Sequence, residues 1–310
     1  MRLLRGLHNL RPFPQGCVLT IGNFDGVHRG HQQVLANLKR QAQALGLPAV
    51  VMVFEPQPKE FFSADEAPAR LTTLAEELEH LAPLDIDAVA CMAFNPRFRS
   101  LSAQQFVDDV LVAGLNVKAL IVGDDFRFGC DRSGDFDFLN QAGAQQGFSV
   151  TDTQTLQAEG QRVSSTLIRS HLQQGDLPGA AELLGRDFAI SGRTAHGQKL
   201  GRQLGVPTAN TLLKRAKVPL AGVFAVTVQP EGDKTIYQGV ANIGLRPTVG
   251  GTRAVLETHL FDFSGDLYGK RLCVTFKQKI RDEKRFDGLD ALTAAIQNDI
   301  QQAKAYFASC

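Results

Sequence analysis

Apolar residues fall into two textures along this chain, and the change comes near Arg186. Before it, short continuous apolar runs alternate with stretches of helical period. Cys17-Val18-Leu19-Thr20-Ile21 is the first run. From His31 a helix is predicted, with Val34, Leu35, Leu38, Ala42 and Leu45 on one face and Gly46 and Pro48 ending it. Ala49 to Phe54 reads as a buried strand, and Leu74 to Leu81 as a helix with Thr73 and Glu76 spaced for a capping box. Ile86 to Ala93 is a further strand. Ser102 and Gln105 offer a second capping pair for a helix through Val112, and Val117 to Val122 is a strand that ends at Gly123. Helical stretches at Leu167 to Gln174 and Leu177 to Leu184 close this part. Repeated strand–helix order implies a parallel sheet, in which ligands sit beyond the carboxyl ends of the strands. Gly22, Phe54, Phe94 and Gly123 all lie just past such ends.

After Arg186 the helical period stops. Short alternating runs, such as Gly222 to Val228 and Arg271 to Phe276, are separated by Gly, Pro and Asp and read as an antiparallel barrel or sandwich. A helix returns from Leu289 to Phe307, with Leu292, Ile296, Ile300 and Tyr306 roughly in step. The chain has 310 residues, enough for two cores. The change of texture divides it into residues 1–186 and 187–310.

Charge follows the same division. Residues 1–185 carry 15 Lys and Arg against 21 Asp and Glu, a net −6, while residues 186–310 carry 18 against 11, a net +7. The basic residues of the second half are dispersed, Trp is absent, and aromatics are not interleaved for stacking, so a small anionic ligand explains the charge without nucleic acid. Five cysteines, an odd number with no Cys-x-x-Cys spacing, suggest neither a disulfide framework nor a zinc site. No apolar run approaches the roughly 18 residues of a membrane span and no apolar signal core is present, so a cytoplasmic protein with no membrane partner is expected. Oligomeric state is not readable from the pattern.

The densest chemistry lies in Gly22-Asn23-Phe24-Asp25-Gly26-Val27-His28-Arg29-Gly30-His31, where the first strand hands over to the first helix. A helix start carries unpaired amide donors and the positive end of the dipole, which suits an anion. His28 and His31 add imidazoles there, and Gly30 allows close approach to the backbone. Two surface or capping histidines are the plainer alternative. Phe54-Glu55-Pro56-Gln57-Pro58 and Gly123-Asp124-Asp125-Phe126-Arg127-Phe128 also follow strands directly, where rings and prolines make a flat apolar slot or simply an aromatic core. Ser164-Ser165-Thr166-Leu167-Ile168-Arg169 opens a helix with hydroxyls and a guanidinium suited to phosphate, or with a plain N-cap.

These segments resemble the bacterial bifunctional riboflavin kinase/FMN adenylyltransferase family, whose first domain carries the His-x-Gly-His signature of nucleotidylyltransferases. The resemblance implies a Rossmann-like first domain that transfers an adenylyl group from ATP to FMN, giving FAD and pyrophosphate. It implies ATP and phosphate contacts from Gly22, Asn23, Phe24, Asp25, His28, Gly30 and His31. Ser164, Ser165, Thr166 and Arg169 would form a second phosphate motif, and Phe54, Pro56, Pro58, Asp125 and Phe128 a flavin slot. The reaction needs no covalent intermediate, so positioning and charge stabilisation must supply most of the catalysis. Mg²⁺ would bridge the phosphates.

The second half opens with a loop rich in glycine and cationic side chains, from Gly192 to Asn210, which by itself is also a mobile hairpin. Its close, Gly205-Val206-Pro207-Thr208-Ala209-Asn210, resembles the riboflavin kinase signature. By that resemblance the half is a Greek-key barrel with a terminal helix that phosphorylates riboflavin. Gly192, His196, Gly197, Gly201, Arg202, Pro207, Asn242 and Arg246 would then bind ATP and flavin, and Thr208 and Asn210 would hold Mg²⁺. Glu257 alternates with apolar positions along a strand and would be the base that takes the riboflavin hydroxyl proton; an exposed strand glutamate is the alternative. Phe224 stands where the family commonly has Tyr, and Val206 where Phe is frequent. Competing expectations are a transferase for another acceptor with a regulatory barrel, and a flavin or nucleotide sensor that retains the pocket. A class I tRNA synthetase is disfavoured by the short chain and the missing Lys-Met-Ser-Lys-Ser.

Overall fold

The computed structural model describes residues 1–153, 157–158, 161–195, 205–248 and 251–309. By packing, the chain forms two compact units, Met1–Pro68 with Leu74–Val163, and Ala69–Thr73 with Ser164–Cys310. Among the described residues, no helix is long and apolar enough to cross a membrane.

The first unit is built on a six-stranded sheet: β1 (Arg2–Arg5), β2 (Cys17–Ile21), β3 (Ala49–Glu55), β4 (Ala88–Ala93), β5 (Val117–Val122) and β6 (Ser149–Asp152). All neighbours pair in parallel, in the order β1-β4-β3-β2-β5-β6. The period of two along each strand divides the core between two faces. Leu19, Val50, Met52, Leu120 and Val122 point to one face, and Val18, Val51, Val53, Ala119 and Ile121 to the other. On the second face lie α1 (Arg29–Leu45), through Leu35, Leu38 and Ala42, and α3 (Leu74–Leu81), through Leu81; the short α2 (Pro58–Phe62) comes between them in the chain. Leu45, expected on the apolar face of α1, is 54% exposed, because it stands in the last turn where Gly46 (φ 66°) turns the chain away. The first face is covered by α4 (Pro96–Arg99), by α5 (Ala103–Gln105) with its π-helical continuation Phe106–Val112, and by α6 (Phe136–Gln146). The capping box at Ser102 and Gln105 is formed. The helix it opens is not α-helical through Val112, a difference that side-chain periodicity does not register.

Two polar atoms of β2 show how completely that strand is buried. Thr20 Oγ1 donates to the Ile121 carbonyl at 2.9 Å, so its hydroxyl is satisfied inside the sheet. The Cys17 thiol is pushed up to about 12 by burial and is inert core.

Beyond the two-residue strands β7 (Gln157–Ala158) and β8 (Gln161–Arg162), the second unit opens with α7 (Ser165–Gln174) and α8 (Leu177–Leu184). These helices precede residue 187 but pack with the barrel's unit, where Leu177, Ala180, Leu183 and Leu184 are buried. The barrel comprises β9 (Ala189–Ala195), β10 (Ala209–Leu212), β11 (Gly222–Pro230), β12 (Tyr237–Thr248), β13 (Gly251–Leu260) and β14 (Arg271–Arg281). It closes in the order β10-β13-β12-β11-β14-β9, antiparallel throughout, so the sheet is a barrel and not a sandwich. The meander β11-β12-β13 with β10 returning beside β13 is a Greek key. Phe224 and Phe276 fill the interior, with ring centroids 5.3 Å apart at 88°. Phe224 is wholly buried, so an apolar ring serves there without a hydroxyl.

The terminal helix α9 (Leu289–Ala308) covers Val223, Ala225 and Val240 on the outside of the barrel. Arg281 at the end of β14 grips its Asp299 with a bidentate pair at 2.8 and 2.7 Å. Asp299 is 3% exposed, so its loss would leave the guanidinium without its counter-charge at a protected contact. Asp299→Ala is expected to lower the stability of this unit by about 2 kcal/mol, read as an earlier unfolding midpoint in urea, with Asp299→Asn falling between it and the parent. An unchanged midpoint for Asp299→Ala would show that apolar packing alone holds α9.

Candidate functional site

In the first unit the chain winds from β2 to β3 and β4 on one side, then returns to place β5 and β6 on the other. The carboxyl ends of β2 and β5 therefore flank the point where winding reverses, the usual location of a ligand crevice in open parallel sheets. The loop 22–28 follows β2 and the loop 123–128 follows β5.

The loop after β2 is buried and strained. Phe24 and Val27 hold φ of 44° and 40°, a region that costs a non-glycine residue about 1–3 kcal/mol and is rare for a β-branched one. They are kept there by packing, being 3% and 1% exposed in the core beneath α1. Asp25 and His28 are buried as well, and Asn23 is the exposed side chain of the turn.

Helix α1 begins at Arg29, two residues before the expected His31, because His28 is its N-cap. His28 Nδ1 accepts the His31 amide proton at 3.2 Å, which fixes the neutral ring's own proton on Nε2. The capping alternative therefore holds for His28, but capping does not account for His31. The two imidazoles stack with centroids 3.6 Å apart at 18°, and Phe24 tilts against His31 at 5.1 Å. A Cβ at Gly30 would come 3.2 Å from the His28 ring, so glycine is what lets that ring lie along the helix start. The Nδ1 atom of His31 is buried and has no hydrogen-bond partner. Burial, and then repulsion from His28, hold the His31 pKa well below 6.5. The arrangement is a pair of stacked imidazoles beside a helix start, with one ring nitrogen of His31 buried and without a hydrogen bond.

Aromatic side chains gather past β3 and β4. Phe54 contacts Phe94 and Phe98 with centroids 5.9 and 5.6 Å apart, and Phe94 in turn meets Phe61 and Phe62. Phe62 is 58% exposed, with the Arg99 guanidinium over its ring at 5.3 Å. Pro56 is exposed and Pro58 half-buried at the start of α2. Sequence reasoning missed Phe61 and Phe62, although adjacent rings just after a strand-end proline pair were a signal. Past β5, Asp125 is exposed, but Phe128 is core: it is 8% exposed and lies against Phe106, Phe126 and Phe138. The half-buried Phe126, stacked on Phe128 at 5.5 Å, is nearer the surface.

In the second unit Ser164 caps α7, its Oγ accepting from the Leu167 amide at 3.2 Å; Ser165 is half-buried and Thr166 exposed. Arg169 Nε donates to the Ala69 carbonyl at 2.5 Å, and the buried Arg215 donates to the carbonyls of Arg70 and Leu71.

On the barrel, register brings Asn210, Glu257 and Asn242 into one row. Asn210 on β10 lies opposite Glu257 on β13, and Glu257 lies opposite Asn242 on β12. Directly paired residues share a face. All three are half-buried, whereas Leu256, Thr258, Ala241 and Ile243 beside them are buried in the interior, so the row faces outward. Thr258, on the inward side of β13, is wholly buried with no hydrogen-bond partner for its hydroxyl. It borders a cavity of about 360 Å³ lined also by Pro207, Thr208, Leu260, Phe263 and Tyr268. Gly192 lets β9 approach β10, since a Cβ there would meet the Leu212 carbonyl oxygen at 2.5 Å. His196, Gly197, Gly201 and Arg202 lie outside the described residues, and for Arg246 only the backbone, paired with Arg253, is described.

Comparison with known proteins decides the family. Residues 10–167 match the FAD synthetase family model and residues 184–307 the riboflavin kinase model. A bifunctional riboflavin kinase/FMN adenylyltransferase of Pseudomonas fluorescens is 58% identical over 98% of this chain and 97% of its own length. The chain belongs to this family. The enzyme of the same description from Escherichia coli K12 is 53% identical over 99% of this chain and 98% of its own length. A crystal structure described as a macrolide-efflux protein from Streptococcus pneumoniae superposes with a TM-score of 0.78, at 29% identity, over 96% of this chain and 97% of that one. The two family models follow the order of the two units, the parallel sheet first and the barrel second.

The state of His31 has a pH signature. In the unfolded chain its imidazole takes a proton near pH 6.5, and in the fold only at lower pH. Below that point the unfolded state binds more protons, so acid withdraws stability that is fully present above it. The first unit is expected to lose melting temperature from about pH 7 to pH 5, and His31→Asn to flatten that loss. Equal slopes for parent and variant would mean that the fold does not lower the His31 pKa.

Proposed function

We propose that the chain makes FMN and then FAD, with the barrel as the riboflavin kinase and the sheet unit as the FMN adenylyltransferase, and we place the functional division at residues 186/187. The observation that carries the kinase reading is the row Asn210–Glu257–Asn242, where a carboxylate stands between two amides on adjacent strands. Glu257 takes the proton of the riboflavin hydroxyl as its oxygen bonds to the γ-phosphorus of ATP and ADP leaves.

Thr208 and Asn210 supply neutral oxygen ligands, and among the described residues no cluster of three His, Cys, Asp or Glu could hold a metal. Such a donor set suits Mg²⁺, which retains waters and leans on substrate phosphates. The ion would neutralise phosphate charge there.

For adenylyl transfer an FMN phosphate oxygen attacks the α-phosphorus of ATP and pyrophosphate leaves. His28 and His31 steady the charge that develops on the phosphate oxygens, with the unmet Nδ1 of His31 as the group waiting for a partner. Gly22, Asn23 and Gly30 shape the approach, and the buried Phe24 and Asp25 hold the turn beneath. The resemblance also assigns phosphate contacts to Ser164, Ser165, Thr166 and Arg169, which belong to the second unit. The flavin ring lies on the aromatic side chains past β3 and β4, with Phe54, Pro56, Pro58 and the exposed Phe62 as contacts. Asp125 meets it from the β5 loop, and Phe128 acts from below by carrying Phe126.

Two variants should separate the activities. His31→Ala is expected to slow conversion of supplied FMN to FAD by about 10²–10³-fold and leave riboflavin phosphorylation near the parent rate. Glu257→Gln should do the reverse, lowering kinase kcat by about 10²–10⁴-fold with FAD formation intact. Flavins resolved by chromatography after incubation with Mg-ATP give both rates. A kinase rate within about threefold of the parent for Glu257→Gln, or equal falls in both activities for His31→Ala, would remove the assignments.

A further inference from the structure

The kinase row has a neighbour to which the sequence motifs assign no role. His259 stands two residues beyond Glu257 on β13 and therefore on the same outward face. Its Nδ1 lies 2.9 Å from the Pro207 carbonyl oxygen. A carbonyl can only accept, so the proton is on Nδ1, and the bond persists whether or not Nε2 is protonated. Pro207 immediately precedes Thr208, which lies outside any strand; regular β10 pairing to β13 begins at Ala209. A proline has no amide proton of its own to donate, and Val206 before it is buried. The imidazole therefore reaches past the last ladder position and ties down the backbone that presents the Thr208 hydroxyl. Phe261, in the turn just after the strand, braces the ring edge-on at 5.9 Å.

We propose that His259 is a positioning residue of the kinase: through Nδ1–H···O=C of Pro207 it fixes Thr208 and Asn210 in the geometry that holds the metal–ATP complex. This rests on the kinase reading above, and it adds a residue that touches neither substrate. Its effect should appear in the metal and ATP requirements, not in riboflavin affinity.

The test compares three full-length variants. Asn places an amide N–H where the imidazole Nδ1–H was, Gln moves the donor one carbon further out, and Leu removes it. His259→Leu and His259→Gln are expected to raise the MgCl₂ and ATP concentrations for half-maximal FMN formation, and to weaken Mg-ADP binding read by calorimetry without flavin, by about tenfold, the effect of one lost hydrogen bond, with the riboflavin KM unchanged. His259→Asn should return both to within about twofold of the parent. Conversion of supplied FMN to FAD on the same preparations reports that the rest of the chain is intact, and should not change. Parent-like behaviour of both Leu and Gln variants would overturn the role. So would an Asn variant as impaired as Leu, because the donor would then be irrelevant. If Leu fails to fold, the Asn and Gln pair carries the same comparison. A parent protein that makes no FMN from riboflavin would overturn the kinase reading itself, a result distinct from either of these.

Discussion

Reversal of winding at β2 is the constraint from which the first site follows. A parallel sheet that grows first to one side of a strand and then to the other leaves the loops after β2 and β5 with no crossing helix between them, and a crevice opens there. The burial of β2 on both faces makes the position rigid: every residue of the strand is buried, and the one hydroxyl is satisfied by the neighbouring strand. The strained turn above it can persist because that strand and α1 are fixed. Chemistry that works by placement and charge instead of by a covalent intermediate needs this kind of support.

The barrel meets a similar requirement by register. Three polar side chains from three strands align because hairpin pairing puts Asn242 opposite Glu257 and strand return puts Asn210 on its other side. Inward positions of the same strands fill with Phe224, Leu256 and Ile243, so the strand that carries the carboxylate is locked from within. The two sides of β13 thus divide the work, core and cavity inward, charged row outward.

Much of this was legible in the sequence, for identifiable reasons. Continuous apolar runs at β2, β3 and β5 announce strands buried on both faces, and α1 and α9 declare themselves by period. Local patterns carry no information on pairing between distant segments, so the period alone leaves barrel and sandwich open; the barrel that the resemblance implies is closed by β9, which joins both β10 and β14. The alternation around Glu257 was visible, but its alignment with Asn242 depends on hairpin register and was not. His28 as the helix cap was one of two readings, since an imidazole acceptor at an N-cap has no distinctive spacing. Phe128 illustrates the opposite limit: a ring at a strand end reads the same whether it faces a ligand or, as here, three other phenylalanines.

The turn at Phe24 and Val27 also restricts how the site can vary. Glycine at Val27 would relax the backbone but leave a hole in a position that is 1% exposed, and a larger residue would meet both strain and a filled core. Substitutions that adjust local conformation and those that adjust volume pull against each other there, so the loop has little mutational latitude. Phe62, more than half exposed on a five-residue helix, has no such conflict. Divergence in which ring system such a scaffold accepts is therefore open at the aromatic lip and closed at the histidine turn.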